Sequence, residues 1–178
     1  GKLSRGLGDV YKRQGEISCS SNSIIPKAIK ELKNVYGDQI FIIADVCNCE
    51  YTTHGHCGTI IDNDVDNDAT LKTLSSQSLI LAKSGADALG IDWQTNLGEA
   101  RKIVNDKIVL QGNLDPAILL STPKAIKEAV RKVLDSYGHG EGHIFNLGHG
   151  ITQFTPPENV ECMLEEIRNY SKKFHAGN

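Results

Sequence analysis

The stretch QIFIIAD, residues 39–45, is a continuous apolar run of strand length that ends on a carboxylate. A strand that does not alternate apolar and polar residues is buried on both faces, which is the habit of parallel sheets. ADALGID (86–92), KIVLQGN (107–113) and HIFNLG (143–148) repeat the pattern. Between them lie helical periods. Ile25, Ala28, Ile29 and Leu32 precede the first run. Ile126, Val130, Val133 and Leu134, then Val160, Met163, Leu164 and Ile167, recur at helical spacing later in the chain. Asp115-Pro116 and Thr122-Pro123 each place a cap residue before a proline suited to the first helical position.

Buried strands separated by helices predict an α/β fold with a parallel sheet and helical cover. Four such strands are about half of an eight-stranded barrel, which takes about 250 residues; this chain has 178. The expected fold class is therefore a partial (βα) TIM-type barrel of about four parallel strands. Residues 1–14 fit neither period and read as a non-native leader or a disordered segment. The length suits one compact unit.

Composition narrows the function classes. The chain is 39% hydrophobic and 23% charged, with a net charge of -3 and its basic residues dispersed, so no nucleic-acid partner is expected. No apolar run approaches the roughly 18 residues a membrane span needs, and the N-terminus has no secretory core. A cytoplasmic, reducing location is expected, where clustered cysteines point to metal or catalysis rather than disulfides.

Such a cluster follows the first strand. DVCNCEYTTHGHCG (45–58) holds three of the five cysteines, Cys47, Cys49 and Cys57; Cys19 and Cys162 are isolated, Cys162 as a small packing or surface residue of an amphipathic helix. In an extended chain, Cys47 and Cys49 face the same side. Three converging thiolates suit zinc with an open fourth position. Structural cysteines and a redox pair remain alternatives on spacing alone, although C-x-C lacks the spacer of the usual dithiol motif.

IADVCNCEYTTHGHCG resembles the zinc-binding segment of porphobilinogen synthase (5-aminolevulinate dehydratase), and the similarity runs from about Gly15, through IPKAIKELK and VDNDATL, to KSGAD. It implies zinc on Cys47, Cys49 and Cys57, a catalytic role for Asp45, and loop-orienting roles for His54 and His56. The family's two Schiff-base lysines belong to segments beyond the matched part. Lys83, Lys102 and Lys107 read as solvated.

From about Gly85 the chain resembles a second family. GADALGIDWQTNLGEARKIVNDKIVLQGNLDPAILL and GHGEGHIFNLGHGITQFTPPENV are similar to the C-terminal part of uroporphyrinogen decarboxylase, over about 85–178. The expected organisation is thus a synthase-like segment at 15–87 joined to a decarboxylase-like segment at 88–178, both from eight-stranded barrels. The second resemblance implies no cofactor, and a substrate-contacting role for His149. Asp92 and Trp93 read as core or rim, and Gln111 and Asn113 as pocket-lining or loop-supporting. Arg101, Arg131 and Arg168, in helical patterns, read as exposed surface. The arginines and aspartate of decarboxylation belong to that family's N-terminal half.

Two functions follow from the resemblances. One is lyase chemistry of tetrapyrrole biosynthesis on 5-aminolevulinate and uroporphyrinogen III. The other is a zinc-binding chimera, or an artificial join, without turnover. Open sheet edges predict self-association.

Overall fold

The computed structural model describes residues 15–55 and 58–175. They form an α/β fold in which strands alternate with helices. The chain divides into two compact units, one ending at Leu89 and the other starting at Gly90. The division falls inside a strand, so that strand is common to both descriptions.

The first unit opens with a short 3-10 turn, Glu16–Cys19, and helix α1 (Ile24–Tyr36). The apolar run then contributes only its last residues to a strand, β1 (Ile43–Asp45), because a 3-10 turn at Gly37–Gln39 occupies its start. A hairpin follows, β2 (Thr59–Ile61) and β3 (Asp64–Asp66), paired antiparallel with Ile61 opposite Asp64. Its two-residue turn, Asp62-Asn63, has φ of 50° and 67°. Asp and Asn tolerate such angles, and both are needed to match the twist of a tight hairpin. Helix α2 (Asn67–Lys83) starts on Asp66, whose carboxylate accepts the Ala69 N–H at 2.7 Å.

Strand β4 (Ala88–Gly90) enters next to β1, with the Asp87 and Ala88 N–H groups donating to the Ile42 carbonyl. Asp87 secures the junction of these elements. Its carboxylate accepts the Ile42 N–H at 2.7 Å and pairs with Lys33 of α1, also at 2.7 Å. Ile29, Ala44, Leu81, Ala88 and Leu89 form the buried core of this unit.

In the second unit, α3 (Leu97–Val104) is capped by Asn96 and followed by β5 (Val109–Leu114). The Ile91 N–H donates to the Gln111 carbonyl, and β5 runs parallel to β6 (His143–Leu147), with Leu110 opposite His143 and Leu114 opposite Leu147. Asp115-Pro116 starts a helix as expected, but a 3-10 one of five residues, Pro116–Leu120. Thr122 caps α4 (Pro123–Tyr137), and α5 (Pro157–Tyr170) and the short α6 (Lys172–His175) complete the chain as described.

Helix α4 buries Ile126, Val130, Leu134 and Tyr137, a stripe of the 3.6-residue period. Against it pack Met163 of α5, Leu114, Leu119 and the inward residues Phe145 and Leu147 of β6. Asn159 is buried in the same layer, but its amide donates to the Leu119 carbonyl at 2.7 Å and the Ser121 carbonyl at 3.1 Å, so its desolvation is compensated. Among the described residues no helix is long and apolar enough to cross a membrane.

Candidate functional sites at the strand ends

Each unit places its candidate residues just beyond the C-terminal end of a strand. In the first, Asp45 ends β1 and its side chain is exposed. The chain leaves strand geometry there, yet the next two cysteines still meet: the Cys47 and Cys49 sulfurs are 3.0 Å apart, and both residues are half-buried. A turn produces this, with the Tyr51 N–H donating to the Asn48 carbonyl at 2.9 Å. Cys57, with His56, lies outside the described residues, and among the described residues no three potential metal ligands are gathered.

The cysteine turn is held by a polar residue from outside its own sequence. Gln77, buried in the middle of α2, donates its amide to the Cys47 carbonyl at 3.0 Å. Asn48 is also buried, with its Oδ1 3.3 Å from the Ser18 hydroxyl, which itself donates to the Gly15 carbonyl at 2.7 Å. Beside them the Tyr51 hydroxyl is pushed above its ordinary pKa, first by burial and then by the negative charge of Glu50 and Cys47. His54 is half-buried in the same turn region.

This donor set fits a soft divalent ion. Two thiolates on tetrahedral zinc lie about 3.8 Å apart, given Zn–S bonds of about 2.3 Å. The pair here would open by less than about 1 Å to admit the metal. A backbone fastened by Gln77 lets that adjustment fall on the cysteine side chains.

In the second unit, β6 ends at Leu147, and the Gly148 N–H donates to the Leu114 carbonyl at 2.8 Å. His149 follows, exposed between two glycines. Gly148 is required by close approach, because a Cβ there would collide with the Trp93 backbone. Asn113, buried near the end of β5, donates to the Asp92 carbonyl at 3.0 Å and the Thr95 carbonyl at 2.6 Å. It therefore supports the loop after β4, the second of the two roles open to it. Trp93 is 40% exposed and Gln111 is half-buried.

One arginine departs from the surface role expected of it. Arg101 donates Nη1 to the Tyr137 carbonyl at 2.8 Å and the His139 carbonyl at 2.7 Å, and its side chain is only 21% exposed. The carbonyls at and just beyond the end of α4 draw it inward. Arg131 is exposed as expected, and it pairs with the buried Glu166. Arg168 is exposed, as are Lys83, Lys102 and Lys107.

Residues 71–170, more than half of the chain, match the sequence model of Uroporphyrinogen decarboxylase (URO-D). The chain belongs to the uroporphyrinogen decarboxylase family. Residues 6–93 match a second model, Delta-aminolevulinic acid dehydratase, so the chain is a chimera whose two family segments overlap at 71–93. Among curated proteins, the uroporphyrinogen decarboxylase of Methylobacillus flagellatus is 61% identical over 94 residues, which are 53% of this chain and 27% of that protein. The Nitrosomonas europaea enzyme is 55% identical over 93 residues, 52% of this chain and 26% of that protein. The chain thus spans about a quarter of the length of these relatives.

Solved structures agree on the fold. The chain superposes on delta-aminolevulinic acid dehydratase (porphobilinogen synthase) from Toxoplasma gondii, in complex with porphobilinogen, with a TM-score of 0.52 and 21% identity. The superposition covers 95% of this chain and 47% of that one. A methyltransferase from Methanosarcina mazei gives 0.55 at 14% identity, covering 89% and 40%. Both likenesses bear on the fold alone, and they accord with part of a (βα) barrel.

Proposed function

We propose that the chain carries parts of two lyase sites of tetrapyrrole biosynthesis in the cytoplasm. The observation behind this reading is the pair of family matches, each covering one set of strand-end residues. In the segment from 15 to 87, Cys47, Cys49 and Cys57 would hold zinc for the condensation of two 5-aminolevulinates to porphobilinogen. When bound, the metal supplies Lewis-acid polarisation of a substrate oxygen. Asp45, exposed at the strand end two residues earlier, is the carboxylate assigned to proton handling there. In the segment from 88 to 178, His149 contacts uroporphyrinogen III during its decarboxylation to coproporphyrinogen III, which needs no cofactor. The flanking glycines leave its imidazole unshielded by neighbouring side chains.

A second reading, binding without turnover, is favoured by how the basic residues are used. Lys33 is paired with Asp87, Arg101 is occupied by main-chain carbonyls and Arg131 by Glu166. None of these presents a free cation to a substrate carboxylate.

Incubation with 5-aminolevulinate and, separately, with uroporphyrinogen III distinguishes the two, with products followed by chromatography and bound zinc by metal analysis. Product from either substrate supports the lyase reading. Bound zinc without product supports the second. A chain that forms neither product and holds no zinc overturns both.

A further inference from the structure

The second unit contains a cavity of about 240 Å³ at the end opposite to His149. It opens where β6 begins, beside the last turns of α4 and α5, so the length of β6 separates it from the His149 end by roughly 15 Å. Its apolar walls are Leu134, Phe145, Ile167 and Phe174. An apolar cavity of about 150 Å³ is enough to take up benzene, so this one has room for a substituted or fused ring.

The polar feature of the cavity is His143. Its Nε2 is 2.8 Å from the Gly112 carbonyl. A carbonyl only accepts, so Nε2 carries the proton and Nδ1 is left as an acceptor. Among the described residues no hydrogen bond reaches Nδ1. Burial is the main cause that keeps the imidazole below its ordinary pKa, against the Gly112 hydrogen bond and with the nearby Arg101 charge. The ring is also fixed in place. It stacks on Tyr137 at 4.6 Å with planes 17° apart, and Tyr137 donates its hydroxyl to the Glu141 carbonyl at 2.7 Å. The rim is glycine-rich, and at Gly142 (φ 93°) a Cβ would stand 2.9 Å from the Tyr137 hydroxyl, so the aperture depends on the missing side chain. Glu141, Ser171 and His175 add further acceptor atoms around the opening.

We propose that this cavity is a binding site for a small planar heteroaromatic molecule, neutral and of one or two fused rings, which donates a ring N–H to His143 Nδ1. Aromatic and aliphatic walls match the faces of such a ring, while the donor supplies the hydrogen bond that His143 Nδ1 leaves unmade. An aliphatic anion would meet Glu141 and helix C-termini, where the peptide dipoles disfavour negative charge.

Indole and 1-methylindole test this on the full chain, since they share shape and differ in the N–H. Histidine-labelled ¹⁵N NMR follows the His143 Nδ1 resonance, identified by its loss in His143→Phe. The expected result is saturable indole binding that moves this resonance, with 1-methylindole bound about tenfold more weakly. In His143→Phe, which keeps an aromatic ring for stacking, indole binding should fall to the level of 1-methylindole. Equal binding of the two ligands by the unmodified chain overturns the proposal, as does no binding of either. The comparison of ligands needs no variant to fold.

Discussion

Arg131 on α4 and Glu166 on α5 form an ion pair of 2.7 Å in which the carboxylate side chain is only 8% exposed while the arginine is 48% exposed. The acid is therefore the dependent partner: its burial is tolerated because the guanidinium reaches over it. Removing the arginine alone strands a buried charge, which is the costly way to break such a pair. Arg131→Met should lower the thermal midpoint by more than the double variant Arg131→Met/Glu166→Met does. Thermal unfolding of the single and double variants measures this, and a double variant less stable than Arg131→Met would contradict it.

The cysteine turn makes a prediction about metal. Zinc content should be one equivalent in the purified chain and should drop in Cys47→Ser and in Cys49→Ser, with a triple variant including Cys57 holding none. Cobalt substitution provides an independent reading, because thiolate ligation gives an intense near-ultraviolet absorption that a hydroxyl cannot. Equal zinc in the unmodified chain and the triple variant would remove the assignment.

Asp87 should give stability a defined acid limit. Its partial burial alone would raise the carboxyl pKa, but the Ile42 N–H and the Lys33 ammonium outweigh it and hold the group below its ordinary 3.8. A depressed pKa means that the unfolded chain takes up the proton first. The contribution is thus present above about pH 3.8 and is lost as the pH falls through the lower folded value. Asp87→Asn should be less stable than the parent at neutral pH, with the gap closing in that acid window. Denaturant midpoints at a series of pH values give the comparison.

Asn113 holds the loop after β4 by two hydrogen bonds to main-chain carbonyls. Asn113→Ala leaves both carbonyls without that donor, at a cost of about 1–3 kcal/mol. Hydrogen exchange should speed up at residues 92–95 more than in α4. Uniform acceleration across the unit would mean that the amide serves global packing instead.

The four apolar runs did mark strands, but burial on both faces held only for part of them, since β1 exposes Ile43 and β6 exposes Ile144 while their neighbours are covered. Helix α4 was legible because Thr122, Pro123 and its apolar stripe agree. Helix α2 was not. It buries Gln77 and leaves Leu71 and Leu79 more than half exposed, so no apolar stripe marks it. The same inversion hid the support of the cysteine turn, since a buried glutamine whose amide meets a carbonyl thirty residues away has no local signature. Asp62-Asn63 did carry a hairpin signal, in two residues that tolerate positive φ, but three-residue strands around it are too short for a period to register. Arg101 was misread because the carbonyls around it come from residues 137 and 139, brought near only by the fold.

Gly148 and Trp93 approach so closely that no side chain fits between them, and Trp93 is the chain's single tryptophan. The protein therefore carries an intrinsic optical probe one residue's contact away from His149. Emission wavelength and quenching of that indole, half-open to solvent, would register ligand arrival at this strand end without any label.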